Sequence, residues 1–171
     1  MTKKEIIKIF ESNNDKIIIE TLKQISKEGN NDLLVHVIEL LHKTASTIIR
    51  DEIIKILEHL KNQNSSQLIV DAIHDPKNEN ELPILVSSCW KNGLNYEDYI
   101  DIFTDVFIKS DFQLAFDAFT VIDTFINTDI NKANISLLKL EGAIEDFTED
   151  KRNLCSELIG IIQSLKENPA N

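Results

Sequence analysis

Apolar residues recur along this chain at intervals of three and four, and each stretch that shows the pattern ends in a short run of polar, turn-forming residues. That spacing predicts amphipathic helices separated by tight turns. Thr2 is placed to cap a short helix through Glu11, with Ile6, Ile7 and Phe10 on one side. Asn13-Asn14-Asp15 ends it and starts a helix over 15–28, where Ile17, Ile18, Leu22 and Ile25 share a stripe and Gly29 follows as the C-terminal cap. Asn31 begins a third helix, carried by Leu33, Leu34, Val37, Ile38 and Leu41 and ended by Thr44. Ser46 caps a fourth, with Ile49, Ile53, Ile56, Leu57 and Leu60 inward; residues 62–66 are too polar to continue it.

The second half repeats the grammar. Helices over 66–74 and 80–92 flank Asp75-Pro76, and Gly93 closes the second of them. Asn95 caps a helix over 96–109, Asp111 caps one over 112–126, and Asn127-Thr128-Asp129 ends that pair. Helices over 131–145 and 149–166 meet at Asp146-Phe147-Thr148, and 167–171 should form a frayed tail. The expected core comprises Ile18, Leu22, Val37, Leu41, Ile53, Leu57, Val86, Phe103, Phe107, Phe116, Phe119, Ile122, Leu158 and Ile162. No strand is predicted.

Ten helices in five antiparallel pairs place the turns within pairs near residues 14, 45, 77, 111 and 147, spaced 31, 32, 34 and 36 apart. Regular spacing of helix pairs at that length predicts an all-α fold, an α-solenoid, with an irregular helical bundle as the alternative. Asp75-Pro76 at a turn, Ile49-Arg50 early in a second helix followed by Ile53-Ile54 and Ile56-Leu57, and Asp111 followed by Ala115-Phe116, Ala118-Phe119 and Val121-Ile122 together resemble the HEAT-repeat pattern in short, divergent repeats. No single pair carries the whole pattern, and the period is short for the family. The resemblance implies a right-handed α-solenoid and a scaffold that binds partners along one face, with no common catalytic residue; no cofactor is expected.

Composition agrees with a single helical domain over 1–171: four Gly and three Pro in 171 residues are too few for a turn-rich β fold. Cys89 and Cys155 sit inside apolar helical patterns without CxxC spacing, and are expected to be core residues of a cytoplasmic, reducing environment. The N-terminal apolar run is broken by Lys8 and Glu11, so no signal peptide is expected, and nothing approaches ~18 consecutive apolar residues.

Candidate chemistry is sparse. Walker A, GxGxxG, GxSxG, HExxH and EF-hand patterns are all missing, and the expectation is a protein that is not an enzyme. His36 and His42 lie six apart on one helix, on different faces, while His59 and His74 stand near helix ends where a cationic ring suits the dipole, so no metal site is expected.

Charge is more informative. Residues 1–61 hold ten basic and ten acidic residues, so the whole net charge of −11 falls in 62–171. Glu97, Asp101 and Asp105, spaced by four with Asp98 beside them, form an acidic stripe that serves either as a solvated face or as a dock for a basic partner protein. Such a balance argues against nucleic acid, which needs a basic stripe. Along the second helices, which the HEAT resemblance places on the concave side, Lys91, Gln113, Asp117, Thr120 and Thr124 present a polar row suited to a protein ligand. Trp90 falls where a core aliphatic residue is expected, yet its place at a helix end beside Lys91 and Gly93 equally suits a partner-binding anchor. The expected function is a protein-binding scaffold or adaptor with its acidic C-terminal half as the docking face; the alternative is an acidic, immunity-like or antitoxin-like inhibitor of a basic partner. The oligomeric state is left open.

Overall fold

The computed structural model describes residues 1–28, 31–126 and 130–167. These form ten α-helices: α1 (Lys3–Phe10), α2 (Asp15–Glu28), α3 (Leu34–Lys43), α4 (Thr47–Glu58), α5 (Ser65–His74), α6 (Leu82–Asn92), α7 (Ile100–Lys109), α8 (Phe112–Phe125), α9 (Ile130–Ala143) and α10 (Glu149–Glu167). Short 3₁₀ turns at Asn31–Leu33, Pro76–Glu81, Glu97–Tyr99 and Ile144–Asp146 lead into or out of them, and the described residues hold no strand.

Several helix starts are written in side-chain chemistry. Thr2 and Glu5 form a reciprocal capping box, Asn14 Oδ1 accepts the Ile17 N–H at 3.3 Å, and Asp111 Oδ1 accepts the Leu114 N–H at 3.0 Å. Asp75 Oδ1 accepts the Lys77 N–H at 3.1 Å, turning the chain into the 3₁₀ segment that Pro76 opens. Gly93 adopts φ 70° after α6, a left-handed conformation that disfavours any side chain. The expected caps at Gly29 and Asn127-Thr128-Asp129, and the tail beyond Glu167, lie outside the described residues.

The chain forms two compact units, Met1–Leu94 and Asn95–Asn171. In the first, α1 packs on α2, α3 on α4 and α5 on α6; the second members α2, α4 and α6 then pack in succession, and α3 packs on α5. Leu22, Val37, Leu41, Ile53, Leu57, Ile69, Leu85 and Val86 are completely buried along these seams. In the second unit α7 packs on both α8 and α9, and α10 on both α9 and α8. Phe103, Phe107, Ile122, Leu140 and Leu158 fill its centre, and Tyr96 packs edge-on to Phe103 and Phe125 with ring centroids 5.7 Å away in each case. Each such side chain contributes roughly 1.5–3 kcal/mol by leaving water.

Polar side chains tie successive pairs at their turns. Ser46 Oγ donates to Asp15 Oδ2 at 2.6 Å; its side chain makes no cap bond of the expected kind to its own helix. Arg50, fourth residue of α4, donates from Nη1 to Leu41 O at 2.9 Å at the end of α3 and lies 3.6 Å from the buried Glu81, which also meets His42 Nδ1 at 3.2 Å. Arg152, fourth residue of α10, donates to Glu145 O at 3.0 Å and Phe147 O at 3.2 Å. Two arginines at equal places in their helices thus satisfy carbonyls that precede them in the chain, Arg50 in the last turns of α3 and Arg152 in the 3₁₀ turn after α9 and at Phe147 beyond it.

Two members of the expected core are placed otherwise. Phe116 is 46% exposed, and Phe119 is only half-buried. The face of α8 that packs on α7 and α10 is Ala115, Ala118, Val121 and Ile122. Two alanines at the contact let the backbones approach closely, and that phase turns the phenylalanines outward. Ile17, expected on the inner stripe of α2, is also exposed.

Candidate functional site

Asp111 sets where α8 begins, and the phase of Ala115, Ala118 and Ile122 then decides what the helix presents to solvent. Phe112 is 44% exposed, Phe116 lies one turn on, and Phe119 stacks on Phe116 with centroids 6.3 Å apart and planes 18° from parallel. Three aromatic rings therefore form a ridge on one shoulder of α8. The polar row Gln113, Asp117, Thr120 and Thr124 runs along the same helix beside it. Thr120 Oγ1 donates to Phe116 O at 2.9 Å and Thr124 Oγ1 to Thr120 O at 2.7 Å. Both hydroxyls are spent on their own helix, so these threonines offer a partner chiefly their methyl groups. The helix holds no Lys, Arg or His, and its acidic residues Asp117 and Asp123 follow the capping Asp111.

The acidic stripe is more compensated than its sequence suggests. Lys132 Nζ of α9 reaches Asp98 Oδ1 at 2.5 Å, and Lys139 Nζ reaches Asp105 Oδ1 at 2.6 Å, with Lys109 at 3.9 Å from the other Asp105 oxygen. Glu97 and Asp101 have no cation within ion-pair distance among the described residues. Sequence spacing along one helix shows only that helix's charges; Lys132 and Lys139 arrive from α9, which packs against α7.

Trp90 and Lys91 belong to the first unit, whereas the other eight predicted contact residues belong to the second. Trp90 is 38% exposed, so the core expectation for it does not hold. Lys91 Nζ lies 5.3 Å from the centre of the Trp90 ring and pairs with Glu58 at 2.7 Å, which clamps the ring at the end of α6.

Two buried groups with perturbed protonation serve the fold. Lys151 is buried and donates to Ile108 O at 2.9 Å and Ser110 O at 2.6 Å, under the Phe147 ring at 4.4 Å; burial pulls its ammonium below the usual lysine range. Burial likewise pushes the Cys155 thiol up to about 11. Among the described residues no three His, Cys, Asp or Glu side chains converge to hold a metal, and no helix is long and apolar enough to cross a membrane. The exposed rings that the sequence pattern did not single out as surface are Phe112 and Phe116; the hint it held is the presence of two alanines, Ala115 and Ala118, on the opposite side of α8. No protein-family model, curated protein or solved structure matches this chain.

Proposed function

We propose that this protein is a non-enzymatic, cytoplasmic protein-binding module, built as a HEAT-like, right-handed array of helix pairs, that docks a basic partner on the exposed face of α8. The observation that carries this reading is the ridge of Phe112, Phe116 and Phe119 on a helix whose only charged side chains are acidic. A soluble domain gains roughly 1.5–3 kcal/mol by burying a phenylalanine, so two neighbouring rings left nearly half exposed point to a surface completed by another molecule. Aromatic residues are enriched at interface centres, and acidic neighbours select a partner with lysine or arginine around its own apolar anchor. The array is supported by the packing of like helices on like within the first unit and by the matched positions of Arg50 and Arg152. Two buried thiols suit a reducing compartment.

The test uses the full chain as bait in lysate from its source cells, beside the F112S/F116S double variant. A protein retained by the wild type and lost from the variant is then purified, and its affinity for both is measured. The expected result is a weakening of at least tenfold, about 1.4 kcal/mol, with an unchanged melting temperature because neither ring is core. A partner that binds the double variant with unaltered affinity removes α8 as the dock. If the partner proves to be a toxic enzyme silenced by the complex, the inhibitor form of this reading is the right one.

A further inference from the structure

A cleft of about 360 Å³ opens in the first unit between α2, α3, α4 and α5, and it is independent of the α8 face. Its floor is aliphatic, formed by Ile25, Leu34, Val37 and Ile56 with Leu60 beside them. Its volume falls in the range of about 300–1,000 Å³ typical of small-molecule sites. In a chain of net charge −11, no described acidic residue lines this cleft, while Lys61 and His59 do. Lys61 has no ion-pair partner among the described residues.

The neutral side chains at the mouth are committed in one sense. Asn31 Oδ1 accepts the Ser65 hydroxyl, and Asn62 Oδ1 accepts the Asn64 N–H at 3.0 Å. With both amide oxygens occupied, what Asn31 and Asn62 retain for a ligand is their NH₂ donors. His59 Nδ1 lies 2.8 Å from Lys55 O, so that nitrogen carries the ring proton and donates to the carbonyl. An aliphatic floor under a rim of an ammonium and two amide donors is complementary to one kind of ligand. We propose that this cleft binds an apolar molecule ending in a carboxylate, with the head at Lys61, Asn31 and Asn62 and the body against Ile25, Leu34 and Ile56. The same chemistry is offered by a free alkyl carboxylate and by the C-terminus of a peptide ending in leucine or valine.

Both sources are tested on the full chain. Octanoate and a short peptide ending in leucine are titrated while the methyl resonances are followed by NMR, with octanol and the C-terminally amidated peptide as controls. The expected outcome is saturable shifts concentrated on the methyls of Ile25, Leu34, Val37, Ile56 and Leu60, by the carboxylate of at least one pair and at least tenfold more weakly by its neutral control. Which pair responds identifies the source. Lys61→Gln should weaken binding about tenfold and Ser26→Trp should block the cleft, both without lowering the melting temperature, since both side chains are exposed. Absence of binding by either carboxylate, equal binding of the neutral controls, shifts scattered away from these methyls, or wild-type affinity in Lys61→Gln would each overturn the proposal.

Discussion

Lys151 shows how a charged residue comes to be interior. Its ammonium reaches the last carbonyls of α7, at Ile108 and Ser110, where the negative end of the helix dipole and two acceptors replace water, and the Phe147 ring covers it. Lys151→Ala leaves two half-buried carbonyls without their donor and should cost about 1–3 kcal/mol in urea or thermal melts. Its folded-state ammonium titrates below the unfolded value of 10.5, so between those two points the unfolded chain binds more protons and stability rises with pH. The gap between wild type and Lys151→Ala should therefore widen as pH climbs toward 10.5, a trend checked by melts at a series of alkaline pH values. Cys155, buried and held near 11, and Cys89, also buried, should resist alkylation at neutral pH in the native protein and react only once it is unfolded, as mass spectrometry after iodoacetamide would show. The residue scale is also where the sequence misled. Phe112, Phe116 and Phe119 repeat at the spacing of a core stripe and outrank alanine in hydrophobicity, yet Ala115 and Ala118 take the buried face. Periodicity offers two phases for α8, and only the close approach of neighbouring helices, a tertiary fact, selects between them.

At the scale of elements the chain is far more legible, because several boundaries carry their own chemistry. Thr2, Asn14, Asp75-Pro76, Gly93 and Asp111 mark starts or stops, and α2 spans Asp15–Glu28 as its punctuation predicts. The four 3₁₀ turns were not visible, since stretches of three to six residues are too short to distinguish a period of 3.0 from one of 3.6. Asp111→Ala removes the acceptor for the Leu114 N–H and should lower stability by about 0.5–2 kcal/mol in thermal melts, with no change in helix content. Arg50 holds two elements together, capping α3 through Leu41 O while neutralising Glu81 just before α6. Arg50→Met leaves that buried carboxylate with His42 alone and should cost about 2–4 kcal/mol by urea denaturation. Arg50→Lys should lie between, because it keeps the charge but not the rigid, planar guanidinium that sets Nη1 between both acceptors.

Over the whole molecule, charge is divided unevenly, and that division was fully legible because it needs only counting. Asn95–Asn171 holds fifteen acidic and six basic residues, a net −9, against −2 for Met1–Leu94. What counting could not show is which carboxylates remain uncompensated: Asp98 and Asp105 are paired to lysines of α9, whereas Glu97 and Asp101 are not paired among the described residues. The acidic field and the aromatic ridge of α8 should act on different steps of partner binding. A field of one sign accelerates encounter with a basic partner, while rings that become buried only after contact slow its departure. Reversing charge at Glu97→Lys and Asp101→Lys breaks no ion pair seen in the fold and should leave the melting temperature unchanged. It should lower the association rate several-fold at low ionic strength, with the difference fading as salt shortens the Debye length from about 8 Å at 0.15 M to about 3 Å at 1 M. Phe112→Ser with Phe116→Ser should do the reverse, raising the dissociation rate at every salt concentration. Stopped-flow or surface-resonance kinetics against the purified partner separate the two. An association rate that ignores the reversal at low salt would reduce the acidic stripe to a solubilising surface, leaving α8 to recognise its partner by shape and apolar contact alone.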